Sequence, residues 1–279
     1  MKRDLIINFT PTGMIPTKDI TPRVPVAPGE VVEQVLEVSE IGVNMVHLHA
    51  REPETGLPTY KKEVYAEITS GVRAKNKDLV ISVSTSGRNF FELEKRSEVL
   101  DLEGELKPDL ASLTLSSLNF NKQASVNSPE MIQALARKMM EKGIRPELEV
   151  FDLGMINYAK YLIKKGWIKP PYYFNLILGN IACAQANMLS LGLMINELPE
   201  GAIWSVGGVG DSQLRMNAMA IVAGGGVRVG LEDNIWYDET RTRLASNRDL
   251  VDRVLHIANA MGREPCPQRT TRESLGLES

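Results

Sequence analysis

The chain has 279 residues, of which 43% are hydrophobic and 24% are charged, a composition typical of a globular protein and not of a disordered chain or a coiled coil. Its 32 basic and 35 acidic residues give a formal charge of -3 with no run of like charge, which argues against nucleic acid or a membrane surface as a partner. No apolar stretch has the length of a transmembrane helix or the character of a signal sequence, so we expect a cytoplasmic protein.

Short apolar, β-branched runs alternate with longer amphipathic stretches along the chain, a pattern typical of a parallel sheet with crossover helices. The predicted strands cover residues 5–9, 44–49, 80–84, 110–115, 147–151, 173–178, 202–206 and 226–229. The predicted helices cover residues 29–41, 61–75, 91–101, 129–142, 154–165, 182–197, 211–223 and 248–261. Eight strands, each followed by a helix, predict an α/β fold with a single (β/α)8 TIM barrel domain over residues 1–279, because open doubly wound sheets usually have fewer strands.

Some segments lie outside this repeat. Residues 10–28 are rich in proline and long for a strand-to-helix connection, so we expect them to lie over the barrel mouth as a lid or substrate loop. We expect the polar tail from residue 265 to frame a contact between subunits. Cys183 and Cys266 are far apart in sequence and are expected to be reduced structural residues, and His256 is expected to pack on an amphipathic helix.

Two histidines stand on the second predicted strand. His47 and His49 are two positions apart, so their side chains point to the same face of the strand. They fall at its carboxyl end, where barrel enzymes place their chemistry, and both imidazoles can bind one metal ion. The alternative is a buried pair in which each histidine has its own hydrogen-bond partners.

Glu232 is the best third ligand for such an ion. It follows the eighth predicted strand, and in a closed barrel the eighth and second strands both flank the first. Two imidazoles and one carboxylate, with an open position for substrate, are typical of catalytic zinc. The alternative for Glu232 is an exposed acid on a loop.

Several motifs occur in an order that we can compare with known families. They are VHLHAR at 46–51, SLT at 112–114 followed by NF at 119–120, ELEVFD at 147–152, WSV at 204–206 and VRVGLEDN at 227–234. Together they resemble the β-keto acid cleavage enzymes, the family of 3-keto-5-aminohexanoate cleavage enzyme, over nearly the whole chain.

The resemblance implies a zinc-dependent barrel that exchanges fragments between a β-keto acid and acetyl-CoA, giving acetoacetate and a new acyl-CoA. It also implies a homo-oligomer, commonly a tetramer. The zinc ligands of the family correspond to His47, His49 and Glu232, and its catalytic arginine and aspartate correspond to Arg228 and Asp233. The positions expected to bind substrate are Ser84, Thr114, Ser116, Glu149, Met14 and Gly87.

The expected chemistry follows from these residues. Asp233 removes the proton between ketone and carboxylate, Arg228 orients that base, and zinc polarises the ketone as a Lewis acid. Hydroxyl groups of Ser84, Thr114 and Ser116 can donate to the oxyanions that form. The alternative for Arg228 and Asp233 is a structural ion pair, and the alternative for Ser84 and its neighbours is a polar turn.

Two positions bear on the substrates. Residues 207–210, Gly-Gly-Val-Gly, depart from the arginine-containing pattern of many family members, and they could either cradle phosphate or form a plain tight turn. Apolar Met14 offers no charge to a substrate ammonium, so we expect a keto acid with an uncharged side chain. One competing function is a single-metal carbon–carbon lyase, aldolase or hydrolase that uses water without CoA. Another is a barrel that has lost catalysis and only binds a small acid or assembles a complex.

Overall fold

The computed structural model describes residues 4–277 and contains a closed barrel of eight parallel strands. Neighbours in the barrel follow chain order, and the last strand pairs with the first. The predicted TIM barrel is therefore confirmed. The strands are β1 (Ile7–Phe9), β2 (Met45–Leu48), β3 (Val80–Val83), β4 (Leu110–Thr114), β5 (Arg145–Val150), β6 (Tyr173–Leu178), β7 (Ile203–Gly208) and β8 (Gly226–Val229).

A helix follows every barrel strand, and none within residues 4–277 has the length and apolar character needed to cross a membrane. The helices are α1 (Pro28–Ser39), α2 (Lys62–Arg73), α3 (Leu93–Ser97), α4 (Pro129–Lys142), α5 (Leu153–Lys164), α6 (Met188–Glu197), α7 (Ser212–Ala223), α8 (Asn247–Ala260) and α9 (Gln268–Ser274). Helix α3 is shorter than predicted because the chain continues as a 3-10 turn over Glu98–Asp101. Helix α6 starts later than predicted, where the Asn187 side chain accepts a hydrogen bond from the Ser190 amide. His256 is exposed on α8, so the prediction that it packs was wrong.

The glycine run after the seventh predicted strand is partly strand. Gly207 and Gly208 pair with Ile177 and Leu178 of β6, which extends β7 through Gly208. A Cβ atom on Gly208 would lie 2.6 Å from the backbone of Ser212, so glycine there lets the first turn of α7 approach the strand. Half of the run expected as a loop therefore belongs to the barrel wall.

The interior of the barrel changes from apolar to polar along each strand. At the amino-terminal end Met45, Val80, Leu110 and Tyr173 form a cluster whose members are at most 2% exposed. Two residues further along the same strands the inward positions carry His47, Ser82, Ser112 and Asn175, because alternate residues of a strand share a face. The polar side chains thus gather at the carboxyl ends of the strands.

The tail folds back against its own barrel, and its expected contact with another subunit stays a prediction. Residues Glu264–Pro265 pair with Asp4–Leu5 below the barrel, and α9 follows. Gln268 donates to the Val43 carbonyl at 2.9 Å, and Leu275 is buried in the apolar cluster at the amino-terminal end. The tail therefore closes one end of the barrel.

The long connection between β1 and α1 is tied down at the opposite end. The Pro11 carbonyl accepts from Asn247 Nδ2 at 2.9 Å, and the Gly13 carbonyl accepts from Arg51 Nε at 3.1 Å. Both donors come from segments that follow barrel strands, so the loop is fixed over the mouth.

Candidate active site

Three side chains that were predicted to bind metal converge at the mouth of the barrel. His47 lies on β2, His49 follows that strand, and Glu232 follows β8. One nitrogen or oxygen atom from each lies within 4.8 Å of the others. His49 Nε2 is 3.3 Å from Glu232 Oε1. Within residues 4–277 this is the one cluster of three such side chains with metal-binding spacing. The arrangement has the donors of a small mononuclear metal site.

One oxygen of this cluster lacks a partner. Glu232 Oε1 accepts from Arg228 Nη2 at 2.7 Å, whereas Glu232 Oε2 is buried and has no hydrogen-bond partner among the described residues. A buried carboxylate oxygen without a partner is costly, and a divalent cation beside the two imidazoles would satisfy it. The residues therefore fit a metal ion.

Glu147 holds His47 from behind. Its Oε2 atom lies 2.7 Å from His47 Nδ1 and also accepts from Ser82 Oγ at 2.5 Å. Its Oε1 atom accepts from Asn8 Nδ2 at 2.7 Å and from Asn175 Nδ2 at 2.8 Å. The first contact places a proton on His47 Nδ1 and leaves Nε2 with the lone pair that a metal requires, an arrangement common behind metal-binding histidines.

Negative charge dominates around His47. Burial by itself lowers the pKa of His47, but the carboxylates of Glu147 and Glu232 outweigh this effect and raise the pKa to about 9. The same carboxylates that favour a proton on the imidazole also favour a metal cation beside it.

Arg228 connects the acids of the site. It is 2% exposed, and its Nε and Nη2 atoms donate to the two oxygens of Asp233 at 2.7 and 3.2 Å. Its Nη1 atom lies 3.4 Å from Glu149 Oε1. Burial and the nearby Glu232 raise the pKa of Asp233 above its ordinary value although Arg228 opposes the shift. The predicted arginine and aspartate are thus adjacent, and the aspartate has the pKa shift that suits a general base.

Two hydroxyl groups predicted to bind substrate differ in what they can donate. Thr114 Oγ1 donates to Glu149 Oε2 at 2.8 Å, so its proton is already used. Ser84 Oγ accepts from the Ser86 amide at 3.3 Å, and its own proton has no acceptor among residues 4–277. Ser84 is therefore the hydroxyl that can donate to a ligand.

A cavity of about 780 Å³ opens above these side chains, and Met14, His49, Ser84, Thr114, Glu149 and Asp233 lie in its wall. Two positions predicted to bind substrate are not part of that wall. The Ser116 hydroxyl donates to the Ser117 carbonyl at 3.2 Å, and Gly87 is buried against Val126, whose amide donates to the Gly87 carbonyl at 3.0 Å. Their contact with substrate stays a prediction.

Several residues of the site were not predicted. Ser82, Asn8 and Asn175 are polar residues at inward positions of otherwise apolar strands, and that pattern could have indicated them. Arg88 also lines the cavity, and its only signal in the sequence is a charge within a turn of small residues.

Gly13 shapes the site through its backbone. Its φ angle is 60°, and a Cβ atom there would lie 2.4 Å from Glu232 Cγ. Only glycine lets the loop from β1 pass this close to the Glu232 side chain.

Comparison with known proteins places these features in a wider context. The profile of the β-keto acid cleavage enzyme family matches residues 4–277. A 3-keto-5-aminohexanoate cleavage enzyme of Fusobacterium nucleatum is 36% identical over 280 residues, which cover 100% of both chains. A 3-oxoadipate:acetyl-CoA acetyltransferase of Cupriavidus necator is 32% identical over 100% of this chain and 97% of its own. A solved complex of ObcA with oxaloacetate has a similar fold, with a TM-score of 0.79 over 92% of this chain and 68% of ObcA at 19% identity.

Proposed function

We propose a reaction for this chain, which belongs to the β-keto acid cleavage enzyme family. It converts a β-keto acid and acetyl-CoA to acetoacetate and a new acyl-CoA with the help of one divalent ion. One observation carries this proposal. The unpartnered Glu232 oxygen and the two histidines lie beside the Arg228–Asp233 pair. The cavity wall includes His49, Arg228, Glu232 and Asp233. A cation site and a base with a raised pKa are therefore adjacent.

His47, His49 and Glu232 would hold the ion, and zinc suits two imidazoles and a carboxylate. When bound, the ion supplies Lewis acidity toward the ketone oxygen of the substrate. Glu147 supports this assignment because it fixes the orientation of the His47 ring.

Asp233 is the base that removes the proton from C2 of the keto acid. Two hydrogen bonds from Arg228 fix the plane of its carboxylate, and Thr10 Oγ1 lies 3.5 Å from its Oδ2 atom. The positive charge of Arg228 then stabilises the negative charge that develops as the proton leaves.

The carbanion at C2 attacks the acetyl carbonyl of acetyl-CoA, and the thiolate of CoA leaves. The thiolate then attacks the original ketone carbon, and the bond between C2 and C3 breaks so that the remaining acyl group stays on CoA. Protonated Asp233 returns its proton to C2, and acetoacetate departs. Ser84 donates its unengaged hydroxyl proton to an oxyanion of this sequence. Thr114 holds Glu149 in place, since its proton is bound there.

The proposal extends to zinc as the ion, to a homo-oligomer that is commonly a tetramer in the family, and to the cytoplasm as the location. The donor set supports zinc. The resemblance to the family supports the oligomer, and the near-neutral charge of -3 is compatible with a cytoplasmic enzyme.

Carbon-labelled acetyl-CoA tests the reaction directly. The zinc-loaded protein is incubated with a β-keto acid and acetyl-CoA that carries carbon-13 in both acetyl positions, and the products are resolved by mass spectrometry. We expect both labels in C3 and C4 of acetoacetate and none in the new acyl-CoA.

Other outcomes identify the competing function. Acetate and the free acid of the remaining acyl group, formed from the β-keto acid without any CoA thioester, would contradict the transferase and favour a carbon–carbon hydrolase that uses water. An unlabelled acetoacetate formed in the presence of labelled acetyl-CoA contradicts the proposed order of bond formation.

A further inference from the structure

Arg88 lies in the loop after β3 and lines the same cavity as the proposed active site. Its guanidinium carbon is 3.7 Å from the centre of the Phe120 ring, a stacking distance. Phe120 in turn meets the Phe151 ring edge-on at 6.0 Å. The guanidinium therefore stacks on Phe120, and Phe151 packs against that ring.

Phe120 lies in the turn of a short hairpin in which Leu118–Asn119 pair with Ala124–Ser125. The loop that carries Arg88 is attached to this hairpin region on both sides of Arg88. On one side the Gly87 carbonyl accepts from the Val126 amide at 3.0 Å, and a Cβ atom on Gly87 would lie 2.3 Å from the Val126 carbonyl oxygen. On the other side Gln123 Nε2 donates to Asn89 Oδ1 at 3.2 Å. These contacts fix the backbone from which Arg88 extends.

The other arginines of the cavity have acidic partners. Arg228 contacts Glu149, Glu232 and Asp233. Arg241 donates to both oxygens of Asp211 at 3.0 and 2.8 Å, and Arg215 lies 3.6 Å from Glu239.

Arg88 differs from all of these. It is half-buried, and no carboxylate of residues 4–277 lies within ion-pair distance of it. Burial lowers the pKa of Arg88, and Glu232, Glu149 and Asp233 oppose this only from a distance. A half-buried guanidinium that stacks on a fixed aromatic ring and has no carboxylate partner is positioned to bind an anionic group of a ligand.

We infer that Arg88 binds the second carboxylate of a β-keto dicarboxylate, an inference that rests on the proposed function. The proton that Asp233 removes is on C2, between the ketone and the reacting carboxylate of the substrate. These two substrate groups must therefore bind next to Asp233 and the three side chains proposed to hold the metal. A carboxylate at the far end of the acyl chain is then the anion left for Arg88. Met14 and Leu118 provide apolar wall for the intervening methylene groups, and Met14 offers nothing to an ammonium.

Two substrates of equal length test this inference. 3-Oxoadipate and 3-oxohexanoate share six carbons and differ only in a terminal carboxylate against a methyl group. In the wild-type protein we expect kcat/KM for the diacid to exceed that for the monoacid by about 10- to 100-fold, as for a hydrogen-bonded charge pair. Arg88→Met keeps an apolar contact with Phe120 and should remove this preference while leaving 3-oxohexanoate turnover unchanged.

Two further variants make the result specific. Arg88→Lys keeps the charge but loses the planar pair of donors, so it should retain part of the preference for the diacid. If Arg88→Met fails to fold, this reduced preference in Arg88→Lys tests the inference instead. Arg215→Met removes an exposed arginine from the same cavity and should leave the ratio of the two kcat/KM values unchanged.

Three results would overturn the inference. An equal loss for both substrates in Arg88→Met would assign Arg88 to the reacting carboxylate or to CoA. No change for either substrate would leave Arg88 without a part in binding, and a wild-type protein that prefers the monoacid would contradict the substrate class.

Failure of the proposed function is recognised separately. If neither keto acid yields labelled acetoacetate, the transferase reaction fails, and binding then decides the question for Arg88. Calorimetric titration with adipate and hexanoate should show about 10-fold tighter binding of adipate to the wild-type protein and equal binding to Arg88→Met. Equal binding of both probes to the wild-type protein would overturn the inference on its own.

Discussion

The two ends of the barrel use the same strands for opposite purposes. At the amino-terminal end Met45 and its neighbours form an apolar cluster closed by Leu275, with every member at most 2% exposed. Two residues further along the second strand the inward position carries buried His47, and just beyond the ends of the second and third strands His49 and Ser84 line an open cavity. The face of the strand is the same in both cases, so distance along the strand separates packing from chemistry.

The comparison also has an energetic side. Burial of apolar side chains stabilises the amino-terminal end of the barrel. The carboxyl end buries charged side chains, and one oxygen of Glu232 there has no hydrogen-bond partner among the described residues. Substitutions at the carboxyl end should therefore change metal binding and turnover, and substitutions at the amino-terminal end should change stability alone.

The largest expected effect is that of His49→Ala. Loss of one imidazole leaves His47 and Glu232, which should not hold zinc tightly, so bound metal and turnover should disappear together. Metal content by atomic emission, measured after equilibrium dialysis, checks this. His256→Ala is the matched control because that histidine is exposed on α8, and unchanged metal content in His49→Ala would contradict the ligand assignment.

Asp233→Asn should have the next largest effect. The amide is close in shape to the carboxylate but cannot accept the C2 proton, so we expect turnover to fall about 10²- to 10⁴-fold with zinc retained. Parallel assays of acetoacetate formation and metal content measure both. Loss of zinc in this variant would move Asp233 into the metal site itself.

Glu147→Gln should have a smaller effect. The four hydrogen-bond partners of Glu147 all donate to its carboxylate, and the amide NH2 group of glutamine would face donors at one of the two positions. We expect zinc affinity to fall about 10- to 100-fold, as for residues that orient a metal-binding histidine. Competition with a chromophoric chelator measures the zinc affinity. An unchanged affinity would contradict the proposal that Glu147 orients the His47 ring.

Leu275→Ala should leave the chemistry unaltered. Truncating this buried leucine should lower the free energy of unfolding by about 2–5 kcal/mol, with kcat unchanged at temperatures where the protein is folded. Denaturant titration gives the stability, and Glu273→Ala is the control because Glu273 is exposed and lies two residues before Leu275. A fall in kcat as large as that of Glu147→Gln would show that the two ends are not independent.

The sequence predicted the barrel because its strands and helices are periodic and punctuated by caps and glycines, as at Ser128 and Gly143 around α4. The packing of the tail was missed because two leucines near the end of a polar segment, Leu275 and Leu277, show no periodicity that reveals their burial. Gly207 and Gly208 were assigned to a loop because glycine is uncommon in strands, yet their neighbours on β6 hold them in the sheet.

The convergence of His47, His49 and Glu232 was predictable because the two histidines are local to one strand and barrel closure brings Glu232 to them. The hydrogen bonds behind His47 were not predictable, because no motif in the sequence links the partners. His47 and Glu147 are 100 residues apart, and Asn8 and Glu147 are 139 apart. The stack of Arg88 on Phe120 likewise joins two different loops.

Anomalous diffraction at the zinc absorption edge, from crystals of the zinc-loaded protein, tests the central claim most directly. We expect one strong peak per chain within bonding distance of His47 Nε2, His49 and Glu232 Oε2. A map without a peak at the barrel mouth, or with its peak away from these three side chains, would contradict it.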